Sequence, residues 1–296
     1  MRIVVISMLW IGLAFGALAQ VEVEDSLGRT LVLDKPASRV VSLAPHMTEV
    51  AFAAGAGDLL IGAVSYSDYP EAAKDIPRVG SYDNVSYETL VALRPDLVLA
   101  WRSGNGDEVI SRLQALGLTV YIDESKTLED VARSVRAVGG LTGNEDVADG
   151  EAQAFLQKLS QLRETYSTQS EVGVYYQIWD EPLLTLNGDH LISDVVRLCG
   201  GRNVFTDSPA LVSRISVESV IRADPQVIIA SGMDKARPEW LDEWREWTSM
   251  TAVHNDQLYF VPPDLLQRHT PRIIEGATLM CEKLQLAREH YALQDK

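Results

Sequence analysis

The chain has 296 residues, 46% of them hydrophobic and 23% charged, enough for one large domain or two modest lobes. Its formal charge of −16 argues against nucleic acid, whose phosphates call for basic patches, and against adhesion to anionic lipid.

The first segment reads as a secretory signal. Met1-Arg2 is a short basic start, Ile3 to Leu18 is apolar with small residues, and Ala17-Leu18-Ala19 has the small-x-small pattern of signal peptidase sites. Cleavage is expected after Ala19. The run is short for a membrane anchor, and no cysteine follows it to carry a lipid. Export implies an oxidising compartment, so Cys199 and Cys281 can form a disulfide, with two separate buried thiols as the alternative. Closing a loop of that length stabilises a fold by roughly 4–5 kcal/mol in the chain-entropy view.

Short apolar strands then alternate with helical stretches. Arg39 to Leu43 reads as a strand and Thr48 to Ala56 as a helix ending at glycines. Leu97 to Ala100 is a strand, Val109 to Leu116 a helix, Thr119 to Ile122 a strand and Leu128 to Val138 a helix. The alternation predicts an α/β arrangement with mostly parallel strands. From Asn144 to Gln169, Phe155, Leu159, Leu162 and Tyr166 recur on one helical face, with no proline, which predicts one long bridging helix. Beyond it the grammar repeats. SYETLVALRPDLVLA (Ser86 to Ala100) lines up with SVESVIRADPQVIIA (Ser216 to Ala230). TEVAFAAGAGDLL (Thr48 to Leu60) lines up more loosely with SDVVRLCGGRNVF (Ser193 to Phe205). Two matches in the same order indicate a pseudo-repeat. The expected architecture is two doubly wound α/β lobes, 20–143 and 170–296, joined by a helix at 144–169. Small-molecule sites favour the cleft that such lobes leave between them.

SYSDYP (Ser65 to Pro70), LRPDLVLAWRSGN (Leu93 to Asn105), LCGGRNVF (Leu198 to Phe205) and TPRIIEG (Thr270 to Gly276) resemble the helix-linked periplasmic binding proteins. These serve ABC importers for cobalamin, haem and iron–siderophores. SYSDYP and AWRSGN point to the corrinoid branch. The resemblance spans about Ala37 to Ala287. It implies a periplasmic, non-catalytic carrier, acting as a monomer. That carrier delivers cobalamin or a related corrinoid to an inner-membrane permease with its cytoplasmic ATPase.

A corrin has wide apolar faces and a rim of amides, so its site needs flat platforms and a few polar groups at the edge. The resemblance places ligand-contacting aromatics at Tyr66, Tyr82 and Trp101, with Tyr82 where a Trp is usual; otherwise these are core or rim residues. Asp264 and Arg268, four apart, match a polar pair used at the ligand's edge; alone, such a pair is an ordinary surface ion pair. The second-lobe Phe and Trp of the family have no clear counterparts: Leu183 or Leu184, and Leu211 or Val212, stand near those places. Glu88 and Glu218 are matched across the repeat, each following a serine that can cap its helix. They are either favourable charges at a helix start or docking carboxylates for permease arginines.

Rival functions lack their residues. A serine hydrolase calls for a GxSxG elbow, and Gly80-Ser81 lacks that frame. Zinc or manganese capture calls for converging His, Asp or Glu, but His46, His190, His254, His269 and His290 are scattered in sequence. His46, after Ala44-Pro45, is the one placed to face the cleft. Haem or an iron–siderophore is the alternative ligand: Tyr66, Tyr82 and His46 keep an axial contact to haem open, whereas siderophores call for several cleft cations.

Overall fold

A computed structural model describes residues 20–232 and 236–294; the expected signal segment lies outside the described residues. The N-terminal lobe opens with a hairpin of β1 (Val21–Glu24) and β2 (Thr30–Leu33). Then come β3 (Val40–Ser42), α1 (Pro45–Ala53), β4 (Leu60–Ala63), α2 (Tyr87–Leu93) and β5 (Leu97–Trp101). α3 (Arg102–Ala115), β6 (Val120–Asp123) and α4 (Leu128–Thr142) follow, and α5 (Glu145–Tyr166) leads away. The C-terminal lobe holds β7 (Val172–Gln177), β8 (Leu184–Leu186), α6 (Leu191–Leu198), β9 (Gly201–Asn203) and β10 (Val212–Arg214). It continues through α7 (Val217–Ala223), β11 (Val227–Ala230), α8 (Thr251–His254) and β12 (Leu258–Phe260). It ends with α9 (Pro263–Leu266) and α10 (Ile273–Gln294).

Each lobe is built on a four-stranded parallel sheet, in the orders β4-β3-β5-β6 and β9-β7-β11-β12. Counted within its own lobe, each order is second, first, third, fourth. The apolar runs Leu97 to Ala100 and Val227 to Ala230 are buried throughout, as parallel strands covered on both faces require. Beside the first strand of each lobe the winding reverses, and the loops at the carboxyl ends part to leave a crevice.

The sequence repeat is also a structural one. Ser86 to Ala100 forms α2 and β5; Ser216 to Ala230 forms α7 and β11. The Ser86 hydroxyl accepts from the Thr89 N–H at 3.4 Å, and the Ser216 hydroxyl accepts from the Ser219 N–H at 3.3 Å. Both helices stop at a left-handed residue, Arg94 (φ 48°) and Asp224 (φ 40°), just before a proline. The looser match pairs α1 and β4 with α6 and β9.

Two helices start earlier than their apolar periodicity. α1 begins at Pro45 rather than Thr48, because the fixed φ and missing N–H of proline suit a first helical turn. α3 begins at Arg102 rather than Val109, with a kink at Gly106 (φ 81°, ψ 152°) separating its first turn from the rest.

On α5, Phe155 and Leu159 are buried, and Leu162 and Tyr166 lie against the same cluster. α4 runs beside it, and the two helices are shared between cores. Leu128, Val131 and Ala132 of α4, with Ala152, Phe155 and Leu159 of α5, belong to the core around β7 and β11. Val135, Val138 and Leu141 of α4, with Ala148 of α5, belong to the core around β3 and β5.

Cys199, at the end of α6, is bonded to Cys281 in α10, and both are fully buried. Replacing both by serine is expected to lower the unfolding free energy by about 4 kcal/mol, because the bridge closes an 82-residue span. Denaturant titration of the mature chain and the variant measures this, and intact mass with and without reductant reports the bond.

Candidate functional site

Both parallel sheets place their carboxyl-end loops at the groove between the lobes. A cleft of ≈ 500 Å³ lies there, a usual size for a small-molecule site. Its N-terminal wall carries Arg102, Ser103, Asp107, Glu124 and Lys126; its C-terminal wall carries Asn187, Asp189 and Leu211. Arg102 Nε lies 3.1 Å from Asp107 Oδ1, and the Ser103 N–H donates to Glu124 Oε2 at 2.8 Å.

Trp101 closes β5 and lines a small hollow next to the cleft, with Ser103, Glu124, His190 and His269. A side chain at Gly104 would overlap the Trp101 ring, so glycine is required there. Tyr82 lies 6.1 Å from Trp101, centroid to centroid. Asn105, almost fully buried, ties the pair together. Its Oδ1 accepts from the Trp101 N–H at 2.7 Å, while its Nδ2 donates to Tyr82 O at 2.6 Å and to Leu43 O at 2.9 Å. Tyr66 stands apart: 76% exposed, with a left-handed backbone (φ 65°) that non-glycine residues rarely take. No ring contact joins it to Tyr82 or Trp101 among the described residues.

Arg268 contacts Asp264 at 3.3 Å, but its shorter contacts cross to the other lobe. Its Nη1 lies 2.9 Å from Glu49 Oε1 and 2.7 Å from Asp68 Oδ1. Arg272 grips the same Glu49 with two bonds, 2.9 Å from Nε and 2.7 Å from Nη2. The Arg272 guanidinium also lies 3.7 Å above the Tyr69 ring, a cation–π contact. Glu49 projects from α1 with its side chain 3% exposed, so this is a buried carboxylate held by two arginines of the opposite lobe.

Three of the scattered histidines meet at the same joint. His46 and His269 are 5.8 Å apart between ring centroids, and His269 and His190 are 5.5 Å apart. His46 lies beneath Trp101, edge-on at 5.2 Å and 5% exposed, so it approaches the cleft only through that ring. Its Nε2 is 3.5 Å from buried Asp123 Oδ2, without a regular hydrogen-bond partner. Burial acts to raise the Asp123 carboxyl, but nearby His46 and the Ser134 hydroxyl more than offset it and hold it below its ordinary range. Burial lowers His190 to about 4. Burial, then His190 and His46, push His269 well below its ordinary value. The His190 Nδ1 accepts from the Ile192 N–H at 3.1 Å, capping α6, which needs the neutral ring. Among the described residues no group of three or more His, Cys, Asp or Glu is arranged to hold a metal ion.

Glu88 and Glu218 occupy the first turns of α2 and α7, both exposed. The Glu218 carboxyl lies below its ordinary range, held by the N–H of its own residue and by Ser216.

Residues 40–265 match the model of the periplasmic binding proteins. The chain belongs to that family. The vitamin B12-binding protein of Vibrio cholerae serotype O1 is 37% identical over 255 residues, covering 86% of this chain and 91% of that protein. The vitamin B12-binding protein of Yersinia pestis is 34% identical over 248 residues, covering 84% and 86%. The crystal structure of the periplasmic vitamin B12 binding protein of V. cholerae superposes with a TM-score of 0.79 over 86% of this chain and 98% of that one, at 37% identity. A periplasmic haem-binding protein of Roseiflexus shares the fold at 20% identity, with a TM-score of 0.72 over 84% of this chain and 98% of that one. No described helix is long and apolar enough to cross a membrane.

Of the aliphatic stand-ins, Leu211 lines the cleft and Val212 is exposed on β10. Leu184 is half-buried on β8, and Leu183 packs against the core around Tyr175 and Trp244. Glu49, Asp68, Tyr69, Asn105, His190, His269 and Arg272 are functional candidates that sequence reasoning passes over. Several lie inside the quoted motifs: Asp68 and Tyr69 in SYSDYP, Asn105 in AWRSGN, Arg272 in TPRIIEG.

Glu49→Ala leaves two part-buried arginines short of a counter-charge and is expected to destabilise the protein by about 3–5 kcal/mol, read by denaturant titration. Acid weakens the joint in a defined window. Between pH 6.5 and about 4 the unfolded chain binds a proton at His190 that the folded chain refuses. Stability therefore falls with falling pH there, by about 1.4 kcal/mol per pH unit for one such group. His190→Asn, which keeps a capping oxygen, is expected to reduce that slope by the share of one group, leaving the share of His269, in denaturation measured across the window.

Proposed function

We propose that this chain is the exported substrate-binding component of an ABC importer. It captures cobalamin or a related corrinoid between lobes 20–143 and 170–296. It then presents the ligand to an inner-membrane permease with its cytoplasmic ATPase. The carrying observation is the Tyr82–Trp101 pair, clasped by Asn105 at the edge of a cleft whose charges nearly cancel. Across its two walls, Arg102 and Lys126 stand against Asp107, Glu124 and Asp189. Mixed donors and acceptors suit a rim of neutral amides. An anionic haem or ferric siderophore would meet a wall with a slight excess of carboxylates, which disfavours both. The relatives described as vitamin B12-binding proteins support the same ligand. Tyr66, Tyr82 and Trp101 supply apolar platforms, and Arg268 with Asp264 supplies polar contacts opposite. No catalytic step is proposed; the ATPase supplies the free energy of transport.

Glu88 and Glu218, exposed at equivalent helix starts, are the proposed docking carboxylates, each pairing with a permease arginine. Their pseudo-symmetric placement suits a two-fold transporter.

Calorimetric titration of the mature chain from Gln20 with cyanocobalamin is expected to give near-stoichiometric binding at micromolar affinity or tighter. Trp101→Ala should weaken it by at least roughly tenfold. Absence of binding would overturn the corrinoid reading and bring haem and siderophores forward, which the visible spectrum of the loaded protein separates. Glu88→Arg with Glu218→Arg should abolish uptake into proteoliposomes and leave ligand affinity intact; unchanged uptake would remove the docking roles.

A further inference from the structure

A second hollow, of ≈ 150 Å³, opens on the C-terminal lobe and shares no wall residue with the cleft. Trp240, Trp244 and Trp247, three of the six tryptophans in the chain, line it together with Leu183 and Val217. Trp244 is fixed by its Nε1–H, which donates to Gln177 Oε1 at 2.7 Å. Trp247 is 42% exposed, a large apolar surface left open to water. Besides Gln177, the polar part of the wall is Asp180, Glu243 and Glu246, and neither lysine nor arginine lines it. The arginines of this segment are engaged elsewhere, Arg237 with Asp242 and Arg245 with Asp242 and Asp256. Among the described residues, Asp180, Glu243 and Glu246 make no side-chain hydrogen bond or ion pair.

Indole faces attract cations, and open carboxylates add directional acceptors. The cation that uses both is a planar guanidinium, which stacks on an aromatic ring and donates from its edge. Val217 in the wall immediately precedes Glu218, the proposed docking carboxylate. We propose that this hollow receives an arginine side chain from the periplasmic face of the permease, beside the Glu218 contact. The proposal rests on the docking reading above. It adds a desolvated anchor to an otherwise exposed ion pair, the kind of contact that dominates protein interfaces.

The test is binding of the cobalamin-loaded mature chain to its permease–ATPase complex in nanodiscs, followed by surface plasmon resonance. Glu243→Gln with Glu246→Gln, and separately Trp247→Ala, should each weaken the complex roughly tenfold. The double glutamine variant should also reduce its salt dependence, and cyanocobalamin affinity should stay unchanged in both. If both variants bind the permease normally while Glu218→Arg does not, the hollow is no part of the interface and the docking reading stands. If Glu218→Arg also binds normally, the docking reading fails and this proposal fails with it. Quenching of tryptophan fluorescence in the free chain by tetramethylammonium, with permease binding unaltered in both variants, would make the hollow a site for a small organic cation and overturn the proposal.

Discussion

A carboxylate taken out of water must be met by charge, and Glu49 is met from the opposite lobe. Arg268 and Arg272 lie on the segment between α9 and α10, and both reach α1 of the N-terminal lobe. The same arginines hold the SYSDYP loop through Asp68 and Tyr69, and that loop carries Tyr66. The joint between lobes and the placing of a proposed ligand platform therefore share one network. Losing either arginine would leave Glu49 inadequately compensated, which gives the two lobes a preferred register.

The two halves repeat a scaffold but not a site. Sheet order, serine caps and left-handed helix ends recur in both lobes. The carboxyl-end loops, which a parallel sheet leaves free to vary, differ. Those of the first lobe supply Trp101, Tyr82 and Glu124. Those of the second supply Asn187, Asp189 and the arginine pair. A flat ligand with apolar faces and a polar edge has use for that division.

The sheets and bridging helix are legible in the sequence because burial on both faces produces unbroken apolar runs, and burial on one helical face produces a 3.6-residue beat. The start of α3 is not legible: Arg102 to Asp107 has no apolar period, and its first turn is set by Gly104 yielding to Trp101 and by Asn105 binding backbone. The meeting of His46, His190 and His269 is hidden for a different reason. They come from the start of α1, the cap of α6 and the loop after α9, and no local spacing encodes a distance between such elements. Glu49 sits in a recognisable repeat segment, yet nothing local marks it as buried, because its partners lie more than two hundred positions away. The proposed platform residues Tyr82 and Trp101 are singled out by motif resemblance, whereas the clasp of Asn105 on Leu43 and Tyr82 depends on the folded course of three loops.

The sharing of α4 and α5 between two cores bears on how such a protein can be taken apart. A cut after Thr142 would strip Ala148 from one core, and leave Leu128, Val131 and Ala132 as an orphaned apolar stripe on the detached first half. Neither lobe is thus a cartridge that recombination could exchange between carriers of different ligands. Variation is channelled into the strand-end loops, whose side chains line the cleft and can be replaced while the chassis stays whole.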